Sequence, residues 1–394
     1  MKLLFYRYGS ICEPDVIDAF QELGHTIRQI TAEITNKSLT PQESIQIVSN
    51  TLLDYPVDFV FSINFFPFLS EVCNIFHIPY LCWSVDSPVM ELFATSITHS
   101  CNRIFLFDRA QYGEIAPLNP EHVFHLPLAV NIKQKQGQIH SAPSDMHQKF
   151  TSDISFVGSL YTEKCPYDKL TNPPAYLTGY LEGLMEAQLR IYGGFILEEL
   201  LTDEIITEFK AHLPGFYCHP FESYLTDRKT MAQLYLGSKI SAMERIQIME
   251  LLSQHFNVDL YTASNTSSLP RVHNCGLAKT LEEMPLIFKN SKINLNITSK
   301  PIRSGLPLRM FDILGCGGFM LTNFQPELSE CFTIGTDLIC YENLEDLKEK
   351  ANYFLHHDKE RQEISENGLQ TVKKYHTYPI RLGQMLSIAF SSGS

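Results

Sequence analysis

The chain is short of positive charge: 31 Lys and Arg stand against 44 Asp and Glu, a net charge of −13 at pH 7. That balance disfavours tight binding to nucleic acid or to an anionic membrane, while leaving room for a local basic pocket that holds a phosphate. Paired cysteines are missing too. All ten (Cys12, Cys73, Cys82, Cys101, Cys165, Cys218, Cys275, Cys316, Cys331, Cys340) stand singly and none forms a C-x-x-C pair. This gives no zinc signal and reads as small core filler in a reduced, cytoplasmic compartment. No run of 18 or more apolar residues occurs, so no transmembrane helix is expected. Met1 to Phe20 has only a short apolar run before Arg7 and reads as a first strand and its loop, not a signal peptide. No G-x-S-x-G elbow and no Ser-His-Asp order is present, which leaves a hydrolase without support. Internal repeats and low-complexity tracts are likewise absent.

What is present is the composition of a globular protein with large cores: 394 residues, 44% hydrophobic and 19% charged. At roughly 100–200 residues per domain, two domains are the natural division. The first 130 residues alternate short apolar runs with helical stretches: Lys2–Tyr6, Val57–Ile63, Pro79–Trp83, Arg103–Phe107 and Val123–Leu126 as strands, with a helix over Pro14–Leu23. This rhythm predicts right-handed crossovers and a mostly parallel sheet. Ligands of such sheets bind beyond the carboxyl ends of the strands, which singles out Gly9, Ser10, Asn64, Asp86 and Asp108. Residues 131–151 are polar and aperiodic and read as an interdomain linker. A new strand, Asp153–Gly158, follows, then a mainly helical insertion over 161–238. The strand–helix alternation resumes with a helix over Ala242–His255 and strands at Val258–Tyr261, Ile293–Ile297, Phe319–Thr322 and Leu338–Tyr341. The expected fold is therefore α/β, with two Rossmann-like doubly wound domains over 1–150 and 151–375 facing a cleft. A terminal helix over 376–394 would cross back to the first domain.

The stretch from Asn294 to Glu330 carries most of the chemistry. A strand runs into a loop with Lys300, Arg303, Ser304 and Gly305, and a helix starts near Pro307, a residue suited to a first helical turn. The helix amides, with Arg303 and Arg309, suit a diphosphate. Asp312 lies three residues after Arg309 on the same helical side, where a carboxylate can accept both hydroxyls of a ribose. The run Gly315-Cys316-Gly317-Gly318 ends the helix and permits close backbone approach. The plainer alternatives are a helix cap for the glycines and a solvated ion pair for Arg309 and Asp312.

Arg309-Met310-Phe311-Asp312-Ile313-Leu314-Gly315-Cys316-Gly317-Gly318, leading into a strand that ends at Thr322, resembles the donor-site signature of GT-B glycosyltransferases. It most resembles the spore-maturation, CgeB-like branch. Trp83-Ser84-Val85-Asp86-Ser87-Pro88, Phe107-Asp108-Arg109 and Leu126-Pro127-Leu128-Ala129 resemble the N-terminal domain that accompanies that branch, and Phe156-Val157-Gly158-Ser159-Leu160 the first strand and loop of the nucleotide-sugar domain. The resemblance implies that the C-terminal domain binds a nucleotide sugar and the N-terminal domain an acceptor. It puts Asp312 at the ribose, and Arg309, Arg303 and Lys300 at the diphosphate. Gly158 and Ser159 then approach the phosphates, and Gly276 and Leu277 hold the base through backbone groups. A second acid that many retaining members carry upstream of the ribose acid falls here on Ser304, which leaves the stereochemical outcome open.

The expected activity is transfer of a hexose or N-acetylhexosamine from a UDP-sugar (UDP-GlcNAc or UDP-Glc) to a hydroxyl of a protein Ser or Thr, or of a glycan. No metal or other cofactor is expected, because cations and helix amides stabilise the leaving diphosphate and no Asp-x-Asp clamp is present. Asp86 is the expected general base, with a turn or helix cap as its plainer role; Glu13 and Asp108 stand behind it. Trp83 is placed on the acceptor side as a stacking surface or, failing that, as core. The alternative to an enzyme is a non-catalytic nucleotide-sugar or glycan-binding protein on the same fold.

Overall fold

A computed structural model of the chain describes residues 1–163 and 165–391. The chain divides into two compact units, residues 1–130, 219–225 and 376–394 in the first and 131–218 and 226–375 in the second; residues 392–394 lie outside the described residues, as does residue 164 within the expected insertion.

The first unit is built on six strands, β1 (Lys2–Tyr6), β2 (Thr26–Ile30), β3 (Phe59–Ile63), β4 (Tyr80–Ser84), β5 (Asn102–Leu106) and β6 (Val123–His125). Their order is β2-β1-β3-β4-β5-β6 and every pairing is parallel. All residues of β3 and β4 are buried, as expected of parallel strands covered on both faces, which read as unbroken apolar runs. β2 is the exception: it is an edge strand with one buried residue, Ile30, and so shows no apolar run. The direction of winding reverses between β1 and β3. The helix Tyr378–Phe390 belongs to this unit. It packs on the helix Glu13–Glu22, sets Tyr378 edge-on to Trp83 at 5.9 Å and Phe390 against Phe59 at 5.7 Å, and Arg103 Nε donates to the Ala389 carbonyl at 3.2 Å. The segment 219–225 also belongs here. It lies antiparallel to Ala94 through Ser223, with Thr95 N donating to Glu222 O at 3.0 Å.

The second unit holds β7 (Ser152–Val157), β8 (Val258–Tyr261), β9 (His273–Asn274), β10 (Ser291–Asn296), β11 (Met320–Asn323) and β12 (Ile339–Tyr341). The order is β12-β11-β10-β7-β8-β9, again all parallel. Here the winding reverses between β7 and β10. One core lies around this sheet, from Ile154 and Phe156 to Leu321 and Tyr341. A second, with Leu181, Phe209 and Tyr235 among its residues, lies among the helices Ala175–Leu189, Asp203–His212, Thr230–Leu236 and Gly237–His255.

Residues 131–151 are not a linker. They form the helices Ile132–Ser141 and Ser144–Lys149 and belong to the second unit. Asn131 caps the first, accepting from Gln134 N at 3.1 Å. Only Lys135 and Ile139 of that helix are buried, so no apolar stripe marks it. Its polar side chains serve the unit directly: Gln136 Nε2 donates to the Gly315 carbonyl at 2.7 Å and Gln134 Nε2 to Leu281 O at 3.1 Å. The glycine run after Leu308–Gly315 has a packing reason. A Cβ on Gly318 would stand 2.5 Å from Phe288 O and 2.8 Å from Asn294 Nδ2, so only glycine lets this turn close onto β10 and the helix Met284–Asn290.

Candidate active site

The crevice where winding reverses is the ligand position of open parallel sheets. In the second unit it lies at the carboxyl ends of β7 and β10, and one side chain spans it. Arg245, on the helix Gly237–His255, donates through Nη1 to Ser159 O at 2.5 Å and through Nη2 to Ile297 O at 2.8 Å. Its guanidinium lies over the Tyr161 ring at 4.2 Å and that of Phe156 at 5.2 Å. It is 8% exposed and its Nε is buried with no hydrogen-bond partner. Arg309 lies near enough that the two guanidiniums oppose each other: burial lowers the Arg309 pKa, Asp312 offsets this, and Arg245 lowers it further. Arg309 Nη1 also contacts Met284 Sδ at 3.2 Å, over the Phe288 ring at 5.3 Å. Two cations within each other's field suit a ligand that carries two negative charges.

Asp312 sits on the same helix, Leu308–Gly315, paired with the buried Lys135 at 3.2 Å. A partner from residue 135, not Arg309, thus holds the carboxylate. Lys300 is corrected in role. Its ammonium pairs with Glu244 Oε1 at 3.0 Å, both side chains being nearly fully buried, and lies over the Tyr192 ring at 4.5 Å. A charge neutralised in this way is not offered to a diphosphate; Arg245, the next residue after Glu244, supplies the cation at the crevice. Gly237 lets this helix close onto the Lys300 loop, for a Cβ there would stand 2.8 Å from Pro301. Arg303 lines a small cavity with Thr298, Lys300 and Asn323 at the ends of β10 and β11. Ser304 Oγ donates to Glu327 Oε1 at 2.7 Å and Glu327 N to Ser304 O at 3.2 Å, with Glu327 2% exposed. A buried carboxylate therefore stands beside Ser304, contributed by a later segment. Gly305 is buried next to it. Gly158 and Ser159 form the turn that Arg245 holds. Gly276 follows β9, its amide donating to Asn274 Oδ1 at 2.9 Å, and Leu277 is 74% exposed.

The first unit's crevice, at the ends of β1 and β3, has the opposite character. Glu13 is fully buried. Its Oε1 accepts from the amides of Tyr8, Gly9 and Ser10 at 2.9, 3.0 and 3.1 Å, and its Oε2 pairs with Arg7 Nε at 3.0 Å. That carboxylate is fully used and is no proton acceptor for a substrate. Asn64 bridges the crevice, with Nδ2 donating to Tyr8 Oη at 2.9 Å and to Asp86 Oδ2 at 2.7 Å while Oδ1 accepts from Val85 N at 3.0 Å. Burial and Asp86 push the Tyr8 phenol well up, so it stays protonated. Asp86 is exposed and caps no helix; the next helical turn, Met90–Phe93, follows Val89. Two expected acceptor-side residues are corrected. Trp83 is fully buried in β4, its Nε1 donating to Leu126 O at 3.3 Å, and offers no face to a sugar. Asp108 is fully buried and caps the helix Arg109–Ile115, accepting from Ala110 N at 2.9 Å.

Sequence reasoning missed Arg245, Glu244, Lys135 and Glu327. Arg245 left one trace: it occupies a stripe position with Ser241, Ile248 and Leu252, where the spacing of three and four residues calls for an apolar side chain.

Two parallel-sheet Rossmann-like domains with this connectivity define the GT-B glycosyltransferase fold, and solved structures share it along the whole chain. Anabaena Alr3699/HepE in complex with UDP-glucose is 11% identical, with 99% of this chain and 100% of that one covered and a TM-score of 0.56. A glycosyltransferase from Rickettsia africae is 11% identical over 100% and 99%, with a TM-score of 0.55. Sucrose-phosphate synthase from Thermosynechococcus elongatus is 9% identical over 100% of both chains, with a TM-score of 0.57. Residues 247–387, which contain Asp312 and the glycine run, match a family described as glycosyl transferase-like. No curated relative matches the sequence. Among the described residues no helix is long and apolar enough to cross a membrane.

Proposed function

We propose that the protein is a glycosyltransferase that moves a hexose or N-acetylhexosamine from a UDP-sugar to a hydroxyl of a protein Ser or Thr, or of a glycan. We further propose that it belongs to the CgeB-like branch and works in the cytoplasm, where its ten free cysteines stay reduced. The observation that carries the reading is the pair Arg245 and Arg309 at the β7–β10 crevice, beside a carboxylate, Asp312, on the following helix.

In this reading the two guanidiniums take the diphosphate and stabilise the charge that develops as it leaves. Asp312, held by Lys135, accepts the ribose hydroxyls. The Gly276 turn meets the base through its backbone, and the amides that open the helix Leu308–Gly315 face the phosphates together with Arg303. Protein cations then do what a metal does elsewhere, so turnover requires no added metal. Asp86, exposed and hydrogen-bonded by Asn64, is the group we assign to take the acceptor proton.

The test is a panel of UDP-, GDP-, ADP- and TDP-sugars without added metal, read by thermal shift and by release of the diphosphate. A ligand at 100 times its dissociation constant adds about 2.7 kcal/mol. One nucleotide sugar is expected to stabilise the protein and be consumed, and Asp312→Ala is expected to abolish its turnover with the fold intact. Full turnover by Asp312→Ala removes the reading. Stabilisation without turnover moves it to a nucleotide-sugar-binding protein on the same fold.

A further inference from the structure

A second cluster lies outside the crevice, at the free edge of the second unit's sheet. Asp259 of β8 and His273 of β9 are direct partners in the parallel pairing. Cys275 continues the ladder, its amide donating to Leu260 O at 2.9 Å. Two residues after His273, it falls on the same face. One donor atom from each of the three side chains lies within 4.8 Å of the other two. His273 Nδ1 stands 2.7 Å from Asp259 Oδ1 and 3.5 Å from Cys275 Sγ.

Three arrangements would place a thiol, an imidazole and a carboxylate together. A nucleophile relay requires the thiol on one ring nitrogen and the carboxylate on the other. Here both converge on Nδ1. A plain histidine–aspartate pair explains two of the groups and leaves the third, partly buried and in hydrogen-bonding reach of Tyr261, directed at the same point. Three donor atoms within 4.8 Å of one another can all reach one ion, which is what chelation requires. With Zn–N near 2.05 Å and Zn–S near 2.3 Å, a tetrahedral site separates nitrogen from sulfur by about 3.5 Å, the spacing His273 and Cys275 already have. Nitrogen and carboxylate oxygen need about 3.4 Å, so the Asp259–His273 hydrogen bond would open by a fraction of an ångström. The His273 side chain, 75% exposed, is free to make that move.

We propose that Asp259, His273 and Cys275 form a three-ligand site for a zinc-class divalent cation, completed by water. Binding displaces the thiol proton to solvent, leaves the His273 ring protonated on Nε2 in place of Nδ1, and forms one metal–sulfur, one metal–nitrogen and one metal–oxygen bond. The site is structural: β9 is two residues long, and the ion fastens it to β8 and fixes the turn at Gly276.

The test uses the purified full chain, stripped with a chelator and titrated with Co²⁺. One equivalent is expected to give a thiolate-to-cobalt charge-transfer band with the intense visible bands of tetrahedral cobalt, and Zn²⁺ is expected to bleach both. Cys275→Ser, nearly isosteric, should lose the charge-transfer band, and His273→Ala should weaken binding at least ~10-fold. Cys218→Ser, which removes an exposed thiol elsewhere, should change nothing. Absence of the bands at stoichiometric cobalt, or their persistence in Cys275→Ser, overturns the proposal. Far-ultraviolet circular dichroism of each variant separates loss of a ligand from loss of fold.

Discussion

The two units share a construction and differ in how their first strand–helix turn is filled. In both, a parallel sheet reverses its winding and opens a crevice at the strand ends. In the first unit the amides of that turn are answered from within, by the Glu13 carboxylate, which Arg7 balances. In the second the turn's carbonyl is answered by a cation, Arg245. Glu163, the acid beside that turn, takes the hydroxyls of Ser159, Thr162 and Ser264, at 3.3, 3.1 and 2.7 Å, while the amides of Gly158, Leu160 and Tyr161 donate to Tyr261 O, Ser264 Oγ and Ser159 Oγ. The same backbone device is thus closed by a buried carboxylate in one unit and by hydroxyls and a cation in the other. The difference lies in a few side chains around one turn, not in the sheet.

That contrast can be broken experimentally, and the largest effect is expected at Glu13. Glu13→Ala strands three amides and Arg7, and should lower stability by about 3–5 kcal/mol in chemical denaturation. A loss below about 1 kcal/mol would show that the internal anion is dispensable. Arg245→Ala comes next. It should cut turnover by about 10²–10³-fold, equivalent to about 2.7–4 kcal/mol. Arg245→Lys should not restore it, because one ammonium cannot reach both Ser159 and Ile297 with the geometry of a fork. Asp312→Ala and Lys135→Met should each weaken donor binding by about 1.5–3 kcal/mol. Because the two are paired, the double variant should lose less than the sum; strict additivity in isothermal titration would separate Lys135 from the ribose site. The smallest effect belongs to Leu277→Ser. An exposed side chain whose neighbouring backbone meets the base should cost less than about 0.5 kcal/mol in stability and leave donor affinity unchanged. A tenfold loss of affinity would give the side chain itself a part in recognition.

These expectations also show what the sequence makes legible. Strands buried on both faces announce themselves: β1, β3, β4, β7 and β10 were placed within two residues by their apolar runs. β2 was invisible because four of its five residues are not buried, and β9 because it is two residues long. The helices over 132–149 were missed because a lysine and a single isoleucine do the packing of the first of them. Of the candidate site, the placing of Arg309 and Asp312 on one helix was readable from their spacing; Lys135 as the partner of Asp312 was not, and neither were Arg245 and Glu327. Each reaches its partner from a distant part of the chain, and local spacing holds no record of that approach. Trp83 and Asp108 erred the other way: a position at a strand end suggests a ligand, yet each side chain turned inward and found a protein partner.

The threading of the first unit has a consequence for how the molecule is made. Its sheet is complete at β6, but the helix that covers Phe59 and Trp83 begins at Tyr378, some 250 residues later. At about 5–20 residues per second on the ribosome, that interval lasts roughly 12–50 s. The second unit emerges whole within it. The nascent first unit therefore stands with an apolar flank uncovered while the second folds, and the half that is translated first is finished last.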